Sequence, residues 1–190
     1  MVISETNHNL KEEHDRIHSI DHKLILVKIY KPKKVYKVFM EGTPYILRVT
    51  QGWDHEKLEN EYVALDRLNG LSNVPKIIGL YVKDNNIEAI IRTYIPGLYV
   101  NEPNLLTRFS YPQAQGLIER IHTRNVFCLD IKPSNLILNF KGINLTDFDI
   151  AITEDVPENR VHLKEYYIHQ DLNNLQKCLL MNKIKGNNKK

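Results

Sequence analysis

The spacing of apolar residues changes twice along this chain. From Leu24 onward they come in short β-branched runs, LILVKIY (24–30), VYKVFM (35–40) and YILRVT (45–50), separated by YKPKK and EGT. Runs of that length, bounded by Pro, Gly and turn residues, predict three strands of an antiparallel meander. Between His55 and Leu68 the period lengthens, and Leu58, Tyr62, Leu65 and Leu68 fall at helical spacing, with Asp54 as a candidate N-cap and Gly70 as a stop. Two further strands are expected around the turn DNN (84–86), and Pro96-Gly97 closes the region. A five-stranded sheet with one inserted helix is therefore predicted for residues 24–95. Beyond it the pattern is more helical. Ala114, Leu117, Ile118 and Ile121 make one stripe behind Pro112, and a last helix is expected from about Gln170 to Met181. Short apolar strands sit inside LDIKPSNLILNF and INLTDFDIAI, each beside polar residues.

Composition narrows the class. Of 190 residues, 42% are hydrophobic and 26% charged, which fits an ordinary globular protein. The formal net charge of +3 is too small to argue for nucleic acid. No apolar run approaches the roughly 20 residues of a membrane helix, and the N-terminus lacks a signal-peptide core. No membrane partner and a cytoplasmic location are the expectations. Two cysteines, Cys128 and Cys178, indicate neither a disulfide framework nor a cysteine zinc site. Residues 1–22 read as a polar extension. Within it His14, His18 and His22 share the i, i+4, i+8 spacing that would put three metal-ligating rings on one helix face, and a metal role stays open.

Chemistry concentrates in two segments, Leu129-Asp130-Ile131-Lys132-Pro133-Ser134-Asn135 and Leu145-Thr146-Asp147-Phe148-Asp149. Phosphoryl transfer needs cations to neutralise phosphate charge and a carboxylate to orient the acceptor hydroxyl. Asp130 is the candidate carboxylate. Asn135, in the same loop, and Asp147, at the end of another strand, are candidate Mg²⁺ ligands, and Lys132 is placed to meet the transferred phosphate.

These segments resemble the protein-kinase superfamily, whose catalytic loop reads H-R-D-x-K-P-x-N and whose metal loop reads D-F-G. Residues 130–135 match from the Asp to the Asn, and Asp147-Phe148 matches the metal loop with Asp149 in place of glycine. The likeness extends from VYKVFMEGTPYILRVT and LENEYVALDRL to HQDLNNLQKCLL, where Asp171 matches the aspartate that supports the catalytic loop, and so covers about residues 24–181. The resemblance implies an α+β, two-lobed fold. Its N-lobe (23–94) would be an antiparallel sheet plus one helix. Its reduced, mainly helical C-lobe (95–182) would be followed by a basic tail (183–190). Small atypical kinases of the RIO type and of the KEOPS complex are similar in economy.

The departures from the family pattern are specific. Arg48 takes the place of the strand-three lysine that contacts phosphates, with Glu61 as its expected ion-pair partner. No glycine-rich loop is present; Lys31, Lys33 and Lys34, or Lys37 one strand later, are the residues that would supply charge instead. Cys128-Leu129 replaces His-Arg, which removes the arginine that receives an activation-loop phosphate. Val156-Pro157-Glu158 resembles the Ala-Pro-Glu that closes that loop. The resemblance implies ATP and Mg²⁺ as cofactors, with the nucleotide against Thr93 and Tyr94, and transfer to a Ser/Thr hydroxyl of a protein. Two alternatives remain. One is a small-molecule phosphotransferase of the aminoglycoside-kinase type, and the other is a pseudokinase acting as a scaffold for a regulatory protein partner.

Overall fold

The computed structural model describes residues 3–32, 34–50, 55–100, 111–153 and 161–187; Lys33, Asp54 and Val156-Pro157-Glu158 lie outside them. The elements run α1 (Ile3–Ile20), β1 (Ile25–Lys31), β2 (Val35–Met40), β3 (Thr43–Val49), α2 (His55–Arg67), β4 (Ile77–Lys83), β5 (Asn86–Thr93), β6 (Leu98–Tyr99), α3 (Tyr111–His122), β7 (Leu136–Asn139), β8 (Gly142–Leu145) and α4 (Val161–Asn187). The chain divides into two compact units, residues 1–59 with 76–94, and residues 60–75 with 95–190. No helix among the described residues is long and apolar enough to cross a membrane.

The first unit holds the predicted meander, an antiparallel sheet in the order β1-β2-β3-β5-β4. Two of its turns are dictated by backbone chemistry. Glu41-Gly42 and Asp84-Asn85 all have positive φ, the conformation that two-residue hairpins need to match the twist of their strands. The register sorts side chains by face. Tyr36 lies opposite Leu47 and Val38 opposite Tyr45, while Leu47 and Val49 lie opposite Ile91 and Ala89. These residues form the core, with Tyr36, Val38, Leu47 and Ala89 fully buried. Lys37, Ile46, Arg48, Ile90 and Arg92 alternate onto the other face.

Residues 1–22, expected as a polar extension, are helical over Ile3–Ile20, and this helix packs against β1. Ile17 enters the core beside Leu24. The Tyr36 hydroxyl donates to Glu13 Oε2, and the Tyr81 hydroxyl donates to Asp21 Oδ2 at 2.9 Å. One fully buried isoleucine and two tyrosine–carboxylate bonds attach the helix, so a search for an apolar stripe does not find it. His22 lies beyond the end of α1. The His14 and His18 rings lie 4.6 Å apart, tilted by 52°, and no group of three His, Cys, Asp or Glu among the described residues could hold a metal. The three-histidine face is thus not formed.

This attachment has a pH signature. The Lys23 backbone amide holds the Asp21 carboxyl below its ordinary 3.8, with burial opposing and the Tyr81 bond assisting. A lowered carboxyl stabilises the fold above its unfolded value, and that stability is lost as pH falls through the folded value. Burial and the Asp21 bond push the Tyr81 phenol from 10.0 up to about 12. A raised phenol stabilises below its unfolded value and loses that contribution as pH rises towards 12. Tyr81→Phe is expected to cost about 1 kcal/mol at neutral pH. It should also flatten the alkaline limb of an unfolding-stability profile, measured by denaturant titration, without moving the acid limb to the same degree.

The second unit contains a three-stranded sheet, β6-β7-β8, with α3 packed on both α4 and β8. The two-residue strand β6 is too short to show a period, and the sequence does not announce it. Gly97 makes it possible. Its φ is +155°, and a Cβ there would lie 2.5 Å from Ile137 Cγ2 and 2.6 Å from the Leu138 carbonyl oxygen. Gly97→Ala is expected to destabilise the chain by about 3 kcal/mol through backbone strain and overpacking, read by the denaturation midpoint. Helix α4 starts at Val161 instead of near Gln170 and continues to Asn187. Its buried positions Asp171, Leu175 and Cys178 keep helical spacing, whereas Leu163, Tyr167 and Ile168 in its first turns are only half-buried.

Candidate active site

The loop that follows α3 is fixed at both ends. Phe127 and Ile152 exchange backbone hydrogen bonds of 2.9 Å in each direction. At the other end the Asn135 carbonyl accepts from the Thr146 amide at 3.1 Å and from the Thr146 hydroxyl at 3.2 Å. Residues 146–152 are therefore tied across residues 127–135, and Asp147 follows directly on the tied Thr146. Phe148, next along, is fully buried and anchors the segment.

Within the loop, three of the sequence-predicted residues come together. The Asn135 side-chain amide donates to the Asp130 carbonyl at 2.9 Å and to Asp130 Oδ2 at 3.0 Å. Lys132 donates its ammonium to the same Oδ2. That bond holds the Lys132 amine above its ordinary range against the effect of burial, with further help from the charges of Asp130, Asp147 and Asp149. Asp147 is thus close enough to be felt at Lys132, and the half-buried Asp149 adds to the same negative field. A lysine among three carboxylates stays protonated at neutral pH.

A buried carboxylate supports the loop from α4. Asp171, 1% exposed, accepts from the Leu129 amide at 2.9 Å with Oδ1, and Oδ2 lies 2.9 Å from His122 Nε2. Burial raises the Asp171 carboxyl, while His122 and the Leu129 and Cys128 amides pull it back down. His122 is a residue the sequence reading passed over. It is 5% exposed and continues the α3 stripe of Ile118 and Ile121, and a histidine on an apolar stripe is the signal that would have found it.

In the first unit, Lys37 and Arg48 share the sheet face opposite the core. Lys37 lies opposite Ile46, two residues before Arg48, and Arg48 lies opposite Val35 and Ile90. The Lys37 ammonium sits 3.9 Å from the centroid of the Tyr94 ring, so these two candidates are in contact. Thr93 is committed to the β5 edge, where its hydroxyl accepts from the Lys76 amide at 3.0 Å. Lys34 belongs to the β1–β2 turn, its amide bonded to Lys31 O at 3.1 Å and its carbonyl accepting from Val49 N at 2.9 Å. Glu61, on the α2 portion that belongs to the second unit, is completely buried.

No protein-family model matches the chain. It is 26% identical over 148 residues to extracellular signal-regulated kinase 2 of Dictyostelium discoideum, covering 70% of this chain and 37% of that protein. Over 122 residues it is 26% identical to mitogen-activated protein kinase kinase 2 of Arabidopsis thaliana, covering 58% of this chain and 34% of that one. The chain thus spans little more than a third of these relatives' lengths. The solved structure of the Cydia pomonella granulovirus kinase PK-1 superposes with a TM-score of 0.55 at 16% identity, over 78% of this chain and 59% of that one. The fold is protein-kinase-like.

Two features of this kinase-like chain now have a structural account. Cys128, where the family has histidine, takes a φ of +55° and presents its amide to Asp171. Burial and the Asp171 charge push its thiol up to about 11, so it is a protonated, unreactive thiol at neutral pH. Leu129, where the kinase family has arginine, is 2% exposed and serves as a core residue whose amide carries the Asp171 bond.

Proposed function

We propose that the chain transfers the γ-phosphoryl group of Mg²⁺-ATP to a Ser or Thr hydroxyl of a protein, in a cytoplasmic setting. The observation that carries this reading is the Asp130–Asn135 pair of hydrogen bonds with Thr146 tied to Asn135. It puts an orienting carboxylate, a side-chain amide oxygen and the start of the Asp147 segment in one hydrogen-bonded frame.

In this reading Asp130 accepts the proton of the acceptor hydroxyl and orients its oxygen towards the phosphorus. Lys132 offsets negative charge on the transferred group. Asn135 Oδ1 and the Asp147 carboxylate are hard oxygen donors and fit Mg²⁺, which is held by one or two carboxylates together with phosphate and water oxygens. When bound, Mg²⁺ would neutralise the β- and γ-phosphates. In the same reading Arg48, Lys37 and Lys34 would supply positive charge for the nucleotide, and Thr93 and Tyr94 would meet its base.

The test is ligand-dependent stabilisation. Millimolar Mg²⁺-ATP is expected to raise the melting temperature of wild type, because a ligand selective for the folded state stabilises it by mass action. Asp147→Ala should lose most of that shift. Absence of any shift in wild type would sink the nucleotide-binding reading.

A further inference from the structure

The register of β1 against β2 places Lys28 directly opposite Lys37. Residues directly opposite in an antiparallel pair project from the same face, about 5 Å apart at Cβ, and like charges there destabilise the sheet. The pair lies on the face that also carries Arg48, away from the α1-covered core. Lys31, opposite Val35, joins the same face, and Val35 in turn lies opposite Arg48. Four cations are thus gathered across three adjacent strands. Among the described residues neither Lys28 nor Lys37 is ion-paired with a carboxylate. Each rests on an aromatic ring instead, Lys28 5.0 Å from the Tyr30 centroid and Lys37 3.9 Å from the Tyr94 centroid. The rings point the two ammonium groups to different supports, which relieves their repulsion and leaves N–H donors available to a ligand.

We propose that Lys28 and Lys37 form a polyphosphate-binding doublet, in which an anionic chain of two or three phosphates bridges the two ammonium groups. This deepens the nucleotide reading by naming the residues that replace phosphate-cradling backbone amides, and it rests on that reading for the identity of the natural ligand. Lys28 is the new element. It is an exposed residue in an edge strand and, taken alone, reads as a solvated surface lysine. Its pairing with Lys37 gives it a ligand. A bridging anion converts a repulsive pair into two attractive ones, so the doublet should respond to phosphate chain length: tripolyphosphate strongly, orthophosphate weakly.

Charge reversal tests this. Lys28→Glu should form a cross-strand ion pair with Lys37, raising the ligand-free melting temperature by a few degrees at low salt. The same variant should lose most of the thermal shift given by tripolyphosphate and by Mg²⁺-ATP, while its response to adenosine stays at the wild-type level. Lys37→Met should lose the same anion response, which guards against an effect peculiar to the new carboxylate. If Lys28→Glu and Lys37→Met keep the wild-type shift with both anions, the doublet is refuted and the nucleotide reading survives. Should wild type respond to tripolyphosphate but not to Mg²⁺-ATP, the doublet stands and the nucleotide reading falls. A wild type that responds to neither anion refutes both.

Discussion

Asp130→Asn is expected to slow phosphoryl transfer by about 10²- to 10⁴-fold, the range that a positioned acid or base contributes, and to leave Mg²⁺-ATP binding close to wild type. The substitution is nearly isosteric. The new side-chain oxygen still accepts from the Asn135 amide, which bonds both the carbonyl and Oδ2 of residue 130 in the native loop. What disappears is the charge that, in the proposed reaction, accepts the hydroxyl proton. Lys132 keeps an oxygen acceptor at residue 130 but loses the negative charge there, so its amine moves back down towards its ordinary range, stays protonated at neutral pH and does not confound the result. Asp147→Ala should behave differently, losing nucleotide binding as well as turnover, because its carboxylate is assigned to the metal. Steady-state rates for both variants, set beside their ATP-induced melting shifts, separate the two roles.

Asp171→Ala should loosen both the fold of the second unit and its loop. It strips the Leu129 amide and His122 Nε2 of their 2.9 Å partner in a place where water does not reach. Stranding such groups costs about 1–3 kcal/mol each, so a total near 3 kcal/mol is expected, with at least a tenfold fall in turnover as the loop loosens. Asp171→Asn keeps an acceptor for Leu129 and should retain most of the stability. The pH profiles of wild type and Asp171→Asn should diverge in a defined direction. Burial raises the Asp171 carboxyl above 3.8, so this group favours the fold in acid, and its contribution is lost as pH rises through the folded value. Asp171→Asn lacks that loss and should gain on wild type between pH 3 and pH 7. Denaturant titrations at the two ends check the sign, and amide exchange at Leu129 checks the loosening.

The parts of this protein legible in its sequence are those built on periodic apolar residues. The strands of the first sheet, α2 and α3 carry a regular period, and of the four positive-φ turn residues in that sheet three are Gly, Asp or Asn, Glu41 being the fourth. Docking of α1 was not legible, since it depends on one fully buried isoleucine and on Tyr36 and Tyr81 reaching carboxylates 23 and 60 positions away in the chain. The early start of α4 was not legible because Leu163, Tyr167 and Ile168 in its first turns are only half-buried. At the candidate site, Asp130, Lys132 and Asn135 could be grouped from their spacing in one loop. The support that His122 lends to Asp171 spans 49 positions and has no local signature beyond a histidine on an apolar stripe. Lys28 illustrates the same limit. Its significance lies in the residue opposite, and register across a bulged pair cannot be counted off from strand patterns alone.

Transfer of label decides whether this frame of residues moves a phosphoryl group. Purified wild type and Asp130→Asn are incubated with γ-labelled ATP and a mixture of Ser/Thr-containing protein acceptors, each with Mg²⁺ and with excess chelator. The account predicts label on protein with wild type and Mg²⁺, little with Asp130→Asn, and none when the metal is removed. Equal labelling by wild type and Asp130→Asn, or no labelling by a wild type that binds Mg²⁺-ATP, would contradict it.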